Sequence, residues 1–348
     1  MRGSSSRGWL STRLPGRAGF RREADRLGET GVSAKRPPPL EERDVECAVE
    51  FAGIALRNPV LTASGTFGYG TEFAPFLDLR RLGGIVSKSV SLEPRQGNLP
   101  ARIAETPAGL LNAIGLENVG VEAFVREKLP ALPEGVPVIA SVFETQIERY
   151  AEVCKRLSGA GRVVGIEINA SCPHVKAGGI EFGQSRDALA ELVRACRQAT
   201  SLPLLLKLSP NVTSISEMAR VCEDEGADGL SLINTLQALD VDVERRRPLL
   251  RNVLGGLSGP AIRPVALRIV FQAAQAVKIP ICGIGGIMSG EDAVKFLLSG
   301  ATAVQVGTAN YLNPAVAGEV ADGIRAYAAR HGFARVADLV GALELPGA

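Results

Sequence analysis

Eight short apolar runs, each separated from the next by a segment of helical periodicity, constrain this chain more than any other feature. The runs span Val60–Ser64, Gly84–Val90, Val136–Phe143, Gly165–Asn169, Leu202–Ser209, Asp228–Thr235, Pro280–Gly286 and Ala303–Thr308. They are partly β-branched and too short for helices, as strands buried on both faces must be. Amphipathic stretches lie between them, at Ile147–Leu157, Arg186–Ala199, Ile215–Glu225, Ala266–Val277, Gly290–Leu298 and about Ala315 to Ala329. Strict strand–helix alternation repeated eight times predicts an α/β fold, a (β/α)8 barrel of the TIM type, with its site on the C-terminal rim. The connections after strand two (about Ser91 to Leu116) and after strand six (about Leu236 to Arg263) exceed ordinary turns. They are expected to be rim insertions that cover or line the site.

A barrel of about 250 residues fits within 348 residues that are 46% hydrophobic, with chain to spare. The spare part is at the start. Residues 1–36 carry nine Lys/Arg against three Asp/Glu, so of the net charge of +2 they hold +6 and leave the rest at −4. Residues 1–45 lack apolar periodicity and contain Pro37-Pro38-Pro39, which predicts a disordered basic extension ahead of a catalytic domain over residues 46–345. An Arg-rich, acid-poor start has the composition of an organelle transit peptide, although a dispensable extension explains it as simply. The mildly acidic remainder argues against a nucleic-acid surface, and no apolar run approaches the roughly 18 residues of a membrane span. A cytoplasmic protein is expected.

The six cysteines, at 47, 154, 172, 196, 222 and 282, form no Cys-x-x-Cys pair, so no metal or iron–sulfur centre is expected on this chain. Five fall within or beside helix or strand patterns, where a reduced cysteine serves as a small hydrophobe. Cys172 alone follows a strand end, in Asn169-Ala-Ser-Cys-Pro-His174, where a thiol is placed for proton chemistry. The only histidines are His174 and His331, which makes a Ser-His-Asp triad or a multi-histidine metal site improbable. A Cys172–His174 pair is conceivable, but an intervening proline need not let the side chains meet.

Further candidates sit at other strand ends. Gly283-Ile-Gly-Gly286 and Val306-Gly-Thr308 close the last two strands, where barrels bind phosphate through backbone N–H groups. Ordinary turns are the alternative for each cluster alone, and neither is a dinucleotide fingerprint. Lys88 and Lys207 lie in strongly apolar strands, where an ammonium needs an anion, either a ligand or a barrel carboxylate such as Glu167. Asn112, Asn169 and Asn234 end strands or rim loops, either as turn residues or converging on one planar polar ring.

These residues carry a resemblance. Ala63-Ser-Gly-Thr-Phe-Gly, Leu92-Glu-Pro-Arg-Gln-Gly-Asn, Leu111-Asn-Ala-Ile-Gly-Leu, Asn169-Ala-Ser-Cys-Pro, Lys207-Leu-Ser-Pro-Asn, Ile233-Asn-Thr, Gly255-Gly-Leu-Ser-Gly-Pro and Val306-Gly-Thr resemble dihydroorotate dehydrogenases from about Val49 to Leu343. The likeness is strongest to class 1B catalytic subunits. It implies FMN over the barrel mouth and oxidation of dihydroorotate to orotate in pyrimidine (UMP) biosynthesis. Cys172 would be the general base, and Lys88, Asn112, Asn169, Asn234 and Thr235, with the backbone of Ala113, Ile114, Gly115 and Leu116, would hold the substrate. Ser64, Lys88, Ser89, Ser141, Asn169, Lys207, Ile233, Gly259, Gly285, Gly286, Gly307 and Thr308 would contact FMN, with the last four glycine and threonine positions around its phosphate. The resemblance also implies a partner subunit carrying FAD and a [2Fe–2S] cluster that passes electrons to NAD, and a catalytic homodimer within a heterotetramer.

Two positions depart from the family pattern. His174 stands where Asn is usual, which predicts substrate affinity that varies with pH, and Ser141 replaces an asparagine in the flavin contact. Competing functions are a dihydropyrimidine dehydrogenase-like or dihydrouridine synthase-like reductase, a class 1A-like fumarate-linked enzyme, a non-redox isomerase or lyase with the same phosphate cup, and a catalytically silent subunit. Cysteine rather than serine as base, and the absence of an N-terminal amphipathic helix, separate the chain from the membrane-associated class 2 enzymes.

Overall fold

Each of the eight expected runs forms a parallel strand, because each has two apolar surfaces to bury. The computed structural model of the chain describes residues 38–170 and 182–347. Its barrel strands are β1 (Val60–Thr62), β2 (Ile85–Val86), β3 (Val138–Val142), β4 (Val163–Asn169), β5 (Leu204–Leu208), β6 (Gly229–Leu232), β7 (Ile281–Ile284) and β8 (Ala303–Val306). They are hydrogen-bonded in the order β1-β8-β7-β6-β5-β4-β3-β2, and a parallel bridge from Leu61 to Gly84 joins β1 to β2 and closes the cylinder. Side chains alternate along every strand. Ile166, Ile168, Leu204, Leu206, Leu230 and Val304 pack outward in one large core with the helices. Leu61, Val86, Ile139, Leu205, Cys282 and Ala303 point inward and join a second core.

That second core is plugged from the N-terminal end by a hairpin, Val49–Phe51 with Ile54–Leu56, whose Val49, Phe51, Ile54 and Leu56 complete it. A closed lower end leaves the upper rim as the open one. The helices Ile147–Ser158, Arg186–Ala199, Ile215–Asp224, Gly290–Leu298 and Val316–Arg330 lie where helical periodicity predicts them. Ser185, Ser214 and Ser289 cap three of them, each side-chain oxygen accepting an N–H of the first turn. The helix expected from Ala266 runs instead over Arg263–Ala274, three residues earlier, since Pro264 supplies a fixed φ and lacks the N–H that a first turn leaves unpaired. A further helical segment at Val121–Lys128 was not foreseen.

The two rim insertions form one structure. Ile103–Thr106 and Gly109–Asn112 from the first pair with Gly255–Ser258 and Leu236–Ala238 from the second, in a four-stranded antiparallel sheet. At the other end of the chain the expected boundary at residue 45 is moved. Glu42–Asp44 forms a 3-10 turn, the Leu40 N–H donates to Ala329 O at 2.9 Å, and Val45 is buried. Residues 38–45 thus belong to the barrel's packing, while the rest of the predicted extension lies outside the described residues.

Candidate active site

The inward positions of the upper strands are polar where the lower ones are apolar. Ser141, Glu167, Lys207, Ser231 and Gln305 occupy the interior of β3, β4, β5, β6 and β8, and all are buried. Above them a cavity of about 390 Å3 opens beneath the insertion sheet. Its wall includes Ser64, Lys88, Ser89, Asn112, Ala113, Ile114, Gly115, Leu116, Asn169, Asn234 and Thr235. A narrower cavity of about 70 Å3 adjoins it and is lined by Ser64, Lys207, Ile233, Asn234, Thr235, Gly259, Gly285, Gly286, Gly307 and Thr308. Residues from every part of the barrel that the sequence singled out are therefore brought to one rim.

The two lysines differ in their surroundings. Lys207 Nζ stands 3.8 Å from Glu167 Oε1 and 3.3 Å from Ser64 Oγ, so the barrel carboxylate expected as its alternative partner is indeed present. Lys88 is half-buried in the larger cavity, and no carboxylate among the described residues pairs with it. A cation left facing a cavity in this way is suited to an anionic group of a ligand. The carboxamides converge as well: Asn234 Nδ2 donates to Asn169 Oδ1 at 3.2 Å, and Asn112 Nδ2 donates to Gly256 O at 3.2 Å. Tyr150 OH holds the Asn169 carbonyl at 2.9 Å.

Ser141 is the exception among the expected contacts. It is fully buried, and its hydroxyl lies 2.8 Å from that of Ser89, which does reach the cavity. Cys172 and His174 lie outside the described residues. The other five cysteines are buried free thiols, and burial, reinforced by the nearby Glu167 charge, pushes the Cys282 thiol far above its ordinary range.

Glycine is required in the narrow cavity. Gly285 and Gly286 have φ of +129° and +70°, and a Cβ on Gly286 would stand 2.8 Å from Gly259 O. Among the described residues the backbone N–H groups of Gly286 and Gly307 have no hydrogen-bond partner, so they are available to an anion. A phosphate-sized cup lined by free amides and Lys207, continuous with a wider slot bearing Lys88 and the carboxamides of Asn112, Asn169 and Asn234, fits a phosphorylated planar cofactor such as FMN.

The family model described as dihydroorotate dehydrogenase matches residues 46–327. The chain belongs to this family. It is 55% identical over 299 residues to the dihydroorotate dehydrogenase B (NAD(+)) catalytic subunit of Geotalea uraniireducens, covering 86% of this chain and 98% of that protein. It is 56% identical over 301 residues to the subunit of the same name from Geobacter sp. (strain M21), and 55% over 301 residues to that of Geobacter sulfurreducens, covering 86% of this chain and 99% of each relative. As in a dihydroorotate dehydrogenase, the chemistry here is that of an oxidoreductase. No helix of the described residues is long and apolar enough to cross a membrane, and none of their His, Cys, Asp and Glu side chains group as a metal site.

Several residues that shape these cavities carry no conspicuous signal of their own in the sequence. Asn118, buried at 6% exposure, donates to Ser91 Oγ at 2.8 Å and Leu116 O at 2.9 Å while its Oδ1 accepts the Ser91 and Gly120 N–H groups. Asn211 lies within the conspicuous Lys207-Leu-Ser-Pro-Asn motif and donates to Thr235 O at 3.3 Å. Glu144 accepts from the Leu92 N–H at 2.7 Å and from Arg149 Nε at 2.8 Å, tying the first insertion to β3. Thr308 Oγ1 donates to Ser258 Oγ at 2.8 Å, linking the cup to the insertion sheet.

Proposed function

We propose that this chain is the FMN-binding catalytic subunit of an NAD-linked dihydroorotate dehydrogenase, oxidising dihydroorotate to orotate in pyrimidine biosynthesis. The observation that carries the proposal is the convergence of Lys88, Asn112, Asn169 and Asn234 on one cavity, continuous with a glycine-lined cup. Orotate is a planar ring edged with carbonyl and N–H groups and bears one carboxylate. Carboxamides can match each ring edge, since each offers both a donor and an acceptor. The free ammonium of Lys88 matches the carboxylate.

When bound, FMN supplies the acceptor for the hydride leaving the substrate ring. The protein's own part is to position and to move a proton. Cys172 Sγ takes the proton from the carbon adjacent to the one that loses hydride, three residues beyond the Asn169 that ends β4. Asn112 and Asn234 hold the ring, Lys88 fixes its carboxylate, and the insertion sheet excludes water. Lys207, which lines the narrow cavity, would favour negative charge on a flavin held there. Ser64, Ile233, Gly259, Gly285, Gly286, Gly307 and Thr308 hold the cofactor. The relatives are named as catalytic subunits, which supports a separate electron-transfer subunit, for which FAD and a [2Fe–2S] cluster are the carriers we propose, on a catalytic homodimer in the cytoplasm.

Purified chain should be yellow and should reduce an artificial acceptor with dihydroorotate but not with dihydrouracil. Cys172→Ser should lose nearly all of that turnover at neutral pH, where a thiol has an ionised fraction able to take the proton and a serine hydroxyl has essentially none. Full activity in that variant would overturn the base assignment, and fumarate accepted as well as NAD would overturn the NAD linkage.

A further inference from the structure

Glu167 points into the barrel from β4, two residues before Asn169, and is wholly inaccessible to solvent. A carboxylate in such a place depends on its neighbours for every hydrogen bond. Ser231 Oγ on β6 donates to its Oε2 at 2.7 Å, and Gln305 Nε2 on β8 donates to the same oxygen at 2.8 Å. The other oxygen, Oε1, has no hydrogen-bond partner and faces Lys207 Nζ at 3.8 Å. Two strands thus pin one oxygen and aim the second at the ammonium. Lys207 itself lines the narrow cavity, with Ser64 as its other polar neighbour.

A buried ion pair adds little stability compared with apolar residues of the same volume. Its position is informative instead. Glu167 lies behind Lys207 as seen from the cavity wall, too far for a hydrogen bond but close enough for its charge to oppose the ammonium field. We infer that Glu167 is a positioning residue that orients Lys207 at the floor of the flavin site and, through its charge, restrains how strongly that lysine favours the reduced flavin. The inference rests on the proposal that the cavity holds FMN.

Replacing the carboxylate by its isosteric amide removes the opposing charge and keeps the shape. In full-length protein loaded with FMN, Glu167→Gln is expected to favour reduced over oxidised flavin about tenfold, a rise of about 30 mV in the two-electron potential. Glu167→Asp keeps the charge but withdraws it by one methylene, so its potential should fall between wild type and Glu167→Gln. That variant alone decides the matter if the amide fails to fold. Potential is measured by dye-coupled reductive titration, with melting temperature and flavin absorption recorded beside it. A lowered melting temperature with an unmoved potential would make Glu167 merely structural and overturn the inference. A fall in potential overturns it too. Failure of the wild-type chain to bind FMN at all would instead refute the proposed function.

Discussion

Replacing Asn118 by alanine should loosen the wall of the proposed substrate cavity by a calculable amount. The side chain makes four hydrogen bonds, two given and two accepted, between the exit of β2 at Ser91 and the turn at Leu116–Gly120. Alanine leaves the Ser91 and Gly120 N–H groups without their acceptor, in a position only 6% exposed. At about 1 kcal/mol net for each bond, less what entering water recovers, the loss is about 3 kcal/mol. Unfolding entropy of about 2.1 cal/mol/K per residue over about 300 residues converts this to a fall of about 5 °C in melting temperature. Leu116, held at a φ of +57°, is the end of the segment Ala113–Leu116 that lines the cavity, so its release should be felt by the substrate. The KM for dihydroorotate is expected to rise about tenfold, equivalent to about 1.4 kcal/mol, with kcat changed much less. Calorimetry and steady-state kinetics on the same preparation check both. A melting temperature within about 1 °C of wild type would refute the hydrogen-bond reckoning, and an unchanged KM would refute the link from Asn118 to the substrate segment.

Two further perturbations test other parts of the site. Gly286→Ala puts a Cβ 2.8 Å from Gly259 O at a φ of +70°, so FMN affinity measured by fluorescence quenching should fall at least about 100-fold; unaltered affinity would remove the cup from cofactor binding. Glu93, at the start of the first insertion, has its carboxyl held below the ordinary glutamate range by its hydrogen bond to Arg149. A lowered folded value means that the pair stabilises above the unfolded value of about 4.3 and ceases to do so as acid brings the pH down through the folded one. The melting temperatures of Glu93→Gln and wild type should therefore differ at neutral pH and draw together as the pH falls below the unfolded value, and a difference that does not shrink with acid would show that the ion pair is not its source.

The sequence and the structure agree where a local pattern reports a global constraint. A strand buried on both faces has to be apolar throughout, and the eight barrel strands are legible for that reason, down to helices such as Arg186–Ala199 and Gly290–Leu298 whose serine caps mark the first turn. The insertion sheet was not legible as a sheet. Gly255-Gly-Leu-Ser258 has low strand propensity, and Ile103–Thr106 keeps no fully buried face, so each becomes a strand only because the other insertion supplies its partner. Lys88, Lys207 and the asparagines stood out because charge and amides are costly in apolar surroundings. The same logic applied to strand parity reaches further. Ser231 and Gln305 are polar residues at inward positions of β6 and β8, in register with strands whose neighbouring inward positions are apolar, and both turn to Glu167. A single polar residue inside a barrel strand reads as tolerated, whereas three on different strands imply a shared partner. Only the closed cylinder shows that they meet, because β4, β6 and β8 are not adjacent in the sheet and their contact runs across the barrel interior. Glu167 thereby couples Lys207 to two strands, β6 and β8, that carry no charged residue of their own.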